Sequence, residues 1–244
     1  MCSSGHLIDS KKSGNRKEEN TPAGCMLYVH RWSSYCKMIS WGWAVASLGV
    51  AAEGPRAVMP EQIMIIRHAE KFQGAERRTP FVTNQLTLAG EERAAALAPF
   101  FMGNSMLTQY GVPVAVYAAK PSTEYESIRP MQTALPTAAA LGLDLNLHYS
   151  LGEEAQAAQE ILHHSAYEGK NILICWEHCS IPVLAKALGV QDPTHWPDSV
   201  FDWVFILHYP QGSSTPAFQI IPQKLMYGDA PTVVFSQELQ ECLQ

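Results

Sequence analysis

The chain of 244 residues has few basic residues, no long apolar run and no regular set of cysteines. Its net charge at pH 7 is -6, and the basic residues are unevenly spread. Residues 1–58 hold seven Lys and Arg against four Asp and Glu, whereas residues 59–244 hold ten against nineteen. Proteins bind nucleic-acid backbones through clustered Lys and Arg. The acidic body therefore excludes nucleic acid as a partner, and any anion must meet a few placed cations.

No apolar stretch has the length of a membrane span. Residues 38–52 form an apolar run, but a spanning helix needs about 20 residues, so no stable span is predicted. Arg31 and Lys37 precede the run and small residues end it, which is typical of a signal peptide. Alternatively, residues 1–58 are a disordered extension that is absent if translation begins at Met59. We predict this extension outside the fold and one domain over residues 59–244.

The six cysteines do not form a disulfide pattern. Half of them lie in the extension, and the body keeps Cys175, Cys179 and Cys242. An odd number, with Cys175 in an apolar run, favours reduced thiols and a cytoplasmic location. Export is the alternative if residues 38–52 are a signal peptide. Cys175, His178 and Cys179 lack a fourth ligand at a suitable spacing, so no metal site is predicted.

From residue 61 onward, strand and helix patterns alternate. Apolar runs predict strands at 63–66, 112–118, 171–176, 204–208 and 218–221. Helices are predicted at 87–101, 130–141, 153–164 and 181–188, with Thr87 as an N-cap and glycines after the second and fourth. The alternation predicts an α/β fold: a three-layer, doubly wound, mostly parallel sheet with helices on both faces.

Charged and imidazole side chains follow the predicted strands. Arg67 and His68 come after the first strand, Glu177 and His178 after the third, and Arg129 opens the helix that follows the second. Ligands of open parallel sheets bind beyond the carboxyl ends of the strands. Arginine forks match phosphate oxygens, and a neutral imidazole is a competent nucleophile. The pattern therefore indicates phosphoryl chemistry.

Four motifs in this order resemble the histidine phosphatase superfamily, the group that includes the cofactor-dependent phosphoglycerate mutases. They are IIRHAE at residues 65–70, LTLAG at 86–90, RPMQTA at 129–134 and Glu177-His178 after an apolar strand. The resemblance spans residues 62–208 and implies the doubly wound fold. It also implies a catalytic domain over residues 59–244, of the small branch-1 type, because the body is too short for a helical insert domain.

The resemblance implies a role for each pocket residue. His68 would accept the phosphoryl group, Arg67 and Arg129 would clamp the phosphate, and His178 would be the second histidine of the phosphate-binding set. No metal and no cofactor is implied. The chain departs from the family pattern in two places, because Ala69 replaces the usual glycine and Tyr125 stands where many members have serine.

The general acid has three candidates. Some branches of the family take it from the loop where this chain has Glu153 and Glu154, and others take an acidic residue beside the second histidine, here Glu177. Consecutive residues of an extended strand point to opposite faces, so Glu177 need not share the pocket with His178. We therefore favour Glu153 or Glu154.

The expected function is that of a metal-independent phosphatase, which hydrolyses a small phosphomonoester through a phosphohistidine on His68. The alternative is a non-hydrolytic member that binds a phosphorylated ligand or a phosphoprotein. A mutase is less favoured because it needs more cations than this body has. Other conspicuous residues are predicted to be structural. Trp176, Trp196 and Trp203 would pack in the core, and Glu91, Glu92, Arg93, His163 and His164 would lie on solvated helix surfaces.

Overall fold

The computed structural model describes residues 58–73, 84–210 and 213–235. The predicted extension, with its signal-like run at 38–52, therefore lies outside the described residues except for its last position. Among the helices in the described ranges, none combines the length and apolar character that a membrane crossing requires.

Six strands form one sheet, in the order β3-β2-β4-β1-β5-β6. The strands are β1 (Gln62–Arg67), β2 (Pro113–Ala118), β3 (Leu145–Asn146), β4 (Asn171–Trp176), β5 (Trp203–His208) and β6 (Ala217–Pro222). Four helices connect them: α1 (Leu88–Gly103), α2 (Arg129–Ala140), α3 (Glu154–His163) and α4 (Ile181–Ala187), with a short 3-10 turn at Ser165–Tyr167. The predicted α/β architecture is confirmed.

The direction of each strand decides what gathers at each end of the sheet. Strands β1, β2, β3 and β4 are parallel, whereas β5 is antiparallel to β1 and β6 is antiparallel to β5. The carboxyl ends of β1 and β4 are adjacent, with Arg67 opposite Trp176. Because β5 runs the other way, the chain just before it, rather than after it, reaches the same edge.

Both faces of the sheet are covered, which explains the continuous apolar runs of β1 and β4. Ile63 and Ile65 face one core with α3 and α4, and Met64 and Ile66 face the other with α1 and α2. All four of these side chains are fully buried. The three tryptophans predicted to pack, Trp176, Trp196 and Trp203, are also buried in the first of these cores.

Helix α1 begins against the loop that follows β1. The hydroxyl of Thr87 accepts a hydrogen bond from the Gly90 amide at 3.1 Å, as predicted for an N-cap. The Thr87 amide donates to the Glu70 carbonyl at 3.0 Å. A Cβ on Gly90 would lie 2.6 Å from the Glu70 carbonyl oxygen, so only glycine permits this close approach.

Gly90→Ala is therefore expected to lower the free energy of unfolding by about 1–3 kcal/mol, the usual cost of overpacking. Gly103→Ala is the matched control, because a Cβ at the other end of the same helix would meet nothing within 4 Å. Urea unfolding of the two variants measures the difference. Equal stability would show that helix α1 does not need its close contact with Glu70.

Candidate active site

Arg67, the last residue of β1, is fully buried and holds the segment before β5. Its Nη1 donates to the carbonyl oxygens of Pro197, Asp198 and Val200 at 3.2, 2.6 and 2.9 Å. Its Nη2 donates to Oδ1 of Asp198 at 2.9 Å, and the guanidinium lies 4.0 Å from the centre of the Phe201 ring. Burial lowers the pKa of Arg67 to about 10, which leaves the side chain charged at neutral pH.

His68 is buried next to Arg67, at the carboxyl edge of the sheet. Its Nδ1 lies 2.7 Å from the Ala69 carbonyl oxygen. A carbonyl can only accept a hydrogen bond, so Nδ1 carries the hydrogen and Nε2 carries the lone pair. Burial, and then the charges of Arg67 and Arg129, hold the pKa of His68 well below 6.5. The ring is therefore neutral at physiological pH.

Arg129 is buried at the first position of α2, and the loop after β1 is bonded to this helix. The hydroxyl of Thr133 donates to the Arg129 carbonyl at 2.8 Å and accepts from the Ala69 amide at 2.9 Å. The methyl group of Ala69 is fully buried with Leu86 and Ala94. Ala69 is thus packed into the core, and Thr133 links this neighbour of His68 to Arg129.

The loop before α2 is shaped by serine hydrogen bonds. Ser122 and Tyr125 exchange two of them, because the Ser122 amide donates to the Tyr125 carbonyl at 2.8 Å and the Tyr125 amide donates to the Ser122 hydroxyl at 3.1 Å. Ser127 is buried, and its hydroxyl accepts from the Arg129 amide at 3.4 Å. Burial raises the pKa of Tyr125 to about 12. Tyr125 therefore stays protonated near Arg129.

His178 lies just after β4 and contacts a carboxylate on each side of its ring. Its Nε2 lies 3.1 Å from Oδ1 of Asp198, and its Nδ1 is in close contact with Oε1 of Glu177. Strand β4 ends at Trp176, so the alternation of an extended strand does not apply to Glu177 and His178. Glu177 therefore lies beside His178, a position that the strand-alternation argument left open.

The three candidate acids have different surroundings. Oε2 of Glu177 accepts from the amides of Cys179 and Ser180 at 2.8 and 3.2 Å. Burial raises the pKa of Glu177, but the bond to His178, the Cys179 amide and the Arg67 charge outweigh it, and the net pKa is lowered. Glu177 is therefore ionised at neutral pH.

Glu153 and Glu154 lie at the start of α3. Glu153 accepts from the Ser150 amide at 2.7 Å. Glu154 is buried and accepts from the Trp176 indole and from the Gly152 amide, both at 3.1 Å. Within the described ranges, the hydrogen bonds of these two carboxylates do not reach His68 or His178.

Two charged residues of this pocket were not predicted. Nζ of Lys71 and Nη2 of Arg67 both bind Oδ1 of Asp198, at 2.6 and 2.9 Å. Lys71 belongs to the charged cluster that follows β1, so its position in the sequence was a usable signal. The sequence held no comparable signal for Asp198, because this residue lies in the segment before an antiparallel strand.

Arg93 was predicted to lie on a solvated helix face, and this prediction was wrong. It is buried, with only 3% of its surface exposed. Its guanidinium binds Oε1 of Glu70 at 2.7 Å and both carboxylate oxygens of Asp229 at 2.7 and 3.0 Å. Since Glu70 belongs to the RHAE motif, this ion-pair network fixes the loop that carries His68.

Glu177, His178 and Cys179 offer donor atoms within 4.8 Å of one another. Cys179 is disulfide-bonded, which corrects the expectation of reduced thiols at this position, and its sulfur provides no thiolate for a metal. Oε2 of Glu177 already accepts two amide hydrogens. Cys175 is a free, buried thiol inside β4. Glu177, His178 and Cys179 therefore do not make up the donor set that a tetrahedral zinc ion requires.

No protein-family model and no curated protein matches the chain. Solved structures do. The protein histidine phosphatase SixA complexed with tungstate shares 15% identity, with a TM-score of 0.44. A putative phosphohistidine phosphatase SixA from Agrobacterium tumefaciens shares 15% with a TM-score of 0.36. A mycobacterial glucosyl-3-phosphoglycerate phosphatase complexed with VO3 shares 11% with a TM-score of 0.38.

Each alignment covers 66% of this chain and 97% of the other. These structures are histidine phosphatases, the family that the motifs of this chain indicate. At such low identities and TM-scores, the likenesses say nothing of substrate or chemistry in this chain.

Proposed function

We propose that the protein is a histidine phosphatase, which hydrolyses a small phosphomonoester without a metal, through a phosphohistidine on His68. The observation that carries the proposal is the state of His68: a buried, neutral ring with its lone pair on Nε2, beside two arginines. A histidine with a purely structural role would be expected to hydrogen-bond protein groups through both ring nitrogens. The name histidine pocket is used below for Arg67, His68, Arg129 and His178.

The proposed first step is transfer of the phosphoryl group to the imidazole. The lone pair of His68 Nε2 forms a bond to phosphorus while the bond from phosphorus to the leaving oxygen breaks. The Ala69 carbonyl accepts from Nδ1–H and stabilises the positive charge that develops on the ring. Arg67, Arg129 and the Nε2–H of His178 stabilise the negative charge of the transferring oxygens.

The second step returns the enzyme to its starting state. A water molecule attacks the phosphorus of phospho-His68, the bond from nitrogen to phosphorus breaks, and inorganic phosphate leaves with His68 neutral. In the first step the leaving oxygen takes a proton from a carboxylic acid, and in the second the same carboxylate takes a proton from the water. We propose Glu153 or Glu154 for this role, because both oxygens of Glu177 are engaged, one with His178 and the other with the amides of Cys179 and Ser180.

A comparison of three variants tests the general acid. Glu153→Gln or Glu154→Gln is expected to lower kcat by about 10²–10⁴-fold on an alkyl phosphate. The loss should be much smaller on p-nitrophenyl phosphate, whose leaving oxygen needs no proton. Glu177→Gln should lower both rates alike, because it acts through His178. Steady-state kinetics with the two substrates separates these patterns, and a leaving-group dependence confined to Glu177→Gln would reverse the assignment.

The charge of the body bears on the substrate. Residues 59–244 hold only ten Lys and Arg, and two of these are assigned to the clamp. A polyphosphate needs more neutralisation than so few cations provide. We therefore propose a small, lightly charged phosphomonoester.

Phosphate release from a panel of sugar phosphates, nucleotides and phosphopeptides tests the proposed activity, with His68→Ala as the negative control. Turnover of at least one monoester that is lost in the control is the expected result. Phosphate binding without turnover on any of them would instead indicate a non-hydrolytic binding protein.

A further inference from the structure

One oxygen of Asp198 receives three donors that come from the carboxyl ends of two adjacent strands. Its Oδ1 lies 2.6 Å from Nζ of Lys71, 2.9 Å from Nη2 of Arg67 and 3.1 Å from Nε2 of His178. Arg67 is the last residue of β1, Lys71 lies in the loop after it, and His178 lies just after β4. A carboxylate oxygen thus occupies the point where Arg67 and His178 of the histidine pocket converge with the neighbouring Lys71.

The charges around this point suit a phosphate better than a carboxylate. The charge of Arg129 lowers the pKa of both Arg67 and Lys71, whereas Asp198 raises both and Glu177 raises that of Arg67. Apart from the histidines, these five groups sum to one positive charge. When a phosphate dianion replaces the Asp198 carboxylate, the sum becomes zero. If Asp198 stayed, its negative charge would repel the phosphate at contact distance.

We propose that Lys71 is a phosphate-binding residue and that the Asp198 carboxylate occupies its site until a phosphate dianion displaces it. The proposal rests on the proposed function, because it assigns the histidine pocket to a phosphoryl group. Selectivity follows from it: a phosphate dianion displaces the carboxylate, whereas a singly charged sulfate ester competes poorly.

The exchange requires only a side-chain rotation. Nη1 of Arg67 binds the carbonyl oxygens of Pro197, Asp198 and Val200. These bonds hold the backbone in place when the Asp198 side chain rotates. The Asp198 side chain is 37% exposed, so it has a path into solvent. Lys71 is only 12% exposed and remains in place to bind the phosphate oxygen.

Calorimetric titration with inorganic phosphate tests the proposal on the full chain. Asp198→Asn is expected to bind phosphate about 10-fold more tightly than the wild type, since a neutral amide competes less well for the cations. Lys71→Met is expected to bind about 10-fold more weakly. The gain from Asp198→Asn should shrink in the Lys71→Met background, because both residues act at one site.

Two exposed residues serve as controls of equal charge change. Asp192→Asn is the control for Asp198→Asn, because Asp192 lies in the same connection between α4 and β5. Lys170→Met is the control for Lys71→Met, because Lys170 lies at the opposite end of the sheet. Neither should alter phosphate affinity by more than about twofold, as expected for screened surface charges. Thermal unfolding of each variant shows whether the fold is retained.

The outcomes separate this proposal from the proposed function. A wild type that hydrolyses phosphomonoesters, but binds phosphate as tightly as Asp198→Asn, overturns the displacement alone. Weaker binding in Asp198→Asn would also overturn it, since Asp198 would then support the bound state. Loss of phosphate binding from every variant, together with an inactive wild type, would overturn both.

Discussion

His68→Asn is expected to lower kcat/KM by at least about 10⁴-fold, because it removes the atom that forms the bond to phosphorus. The asparagine amide is smaller than imidazole and holds no lone pair at the position of Nε2. The arginines and His178 remain, so inorganic phosphate should still bind. Stopped assays of phosphate release give the rate, and calorimetry gives the affinity.

His163→Asn is the matched control, because His163 is exposed on α3. It should keep full activity. A His68→Asn variant that retained more than about a tenth of wild-type kcat/KM would exclude covalent catalysis by this residue. The pH profile adds a second check. Since the pKa of His68 is held well below 6.5, the wild type should show no fall in kcat/KM near pH 6.5 that arises from this residue.

Arg129→Met is expected to lower kcat/KM by about 10²–10³-fold, the usual loss when one buried donor to a transition state is removed. Methionine keeps an apolar chain of similar length at this buried position, so packing is largely retained. Arg129→Lys should recover only part of the activity, because an ammonium cannot donate in the planar fork that matches two phosphate oxygens. Steady-state kinetics on one monoester ranks the three proteins.

The same substitution should change the pH dependence. The Arg129 charge is one of the causes that lower the pKa of His68, so its removal raises that pKa. The nucleophile would then become protonated at a higher pH, and the acid limb of kcat/KM should move toward neutrality. Lys186→Met removes an exposed charge from α4 and should leave the profile unchanged. If the acid limb did not move in Arg129→Met, the charge of Arg129 would have no effect on the pKa of His68.

The strands were predictable because both faces of the sheet are buried. A run such as Ile63 to Ile66 has no polar position to accommodate, so it appears in the sequence as an uninterrupted apolar block. The parallel pairing of β1 and β4 then puts the residues after each strand at one edge. His68 and His178 could be assigned to the same pocket on this basis alone.

Asp198 could not be predicted in the same way. The rule that ligands meet residues after a strand holds for parallel strands, and the direction of β5 is not encoded in its apolar pattern. Since β5 is antiparallel to β1, its preceding loop arrives at the pocket. Strand β3 could not be predicted either, because a strand of two residues is too short to show an apolar pattern.

The burial of Arg93 could not be predicted from the sequence, for a different reason. Its neighbours Glu91 and Glu92 are exposed, and the local pattern is that of a solvated helix face. Arg93 is buried only because Glu70 and Asp229 pair with it, and Asp229 lies 136 residues further along the chain. When a charged residue is buried by pairing with residues distant in the sequence, the pattern of its own helix does not indicate that burial.

The phosphohistidine is the most direct test of covalent catalysis by His68. The protein would be incubated with a labelled phosphomonoester, quenched in alkali and digested, and the phosphorylated peptide would be identified by mass spectrometry. We expect an acid-labile phosphoryl group on His68 that is absent from His68→Asn. Turnover of the monoester with no label on His68 under rapid quenching, or a label on another residue, would contradict the proposed mechanism.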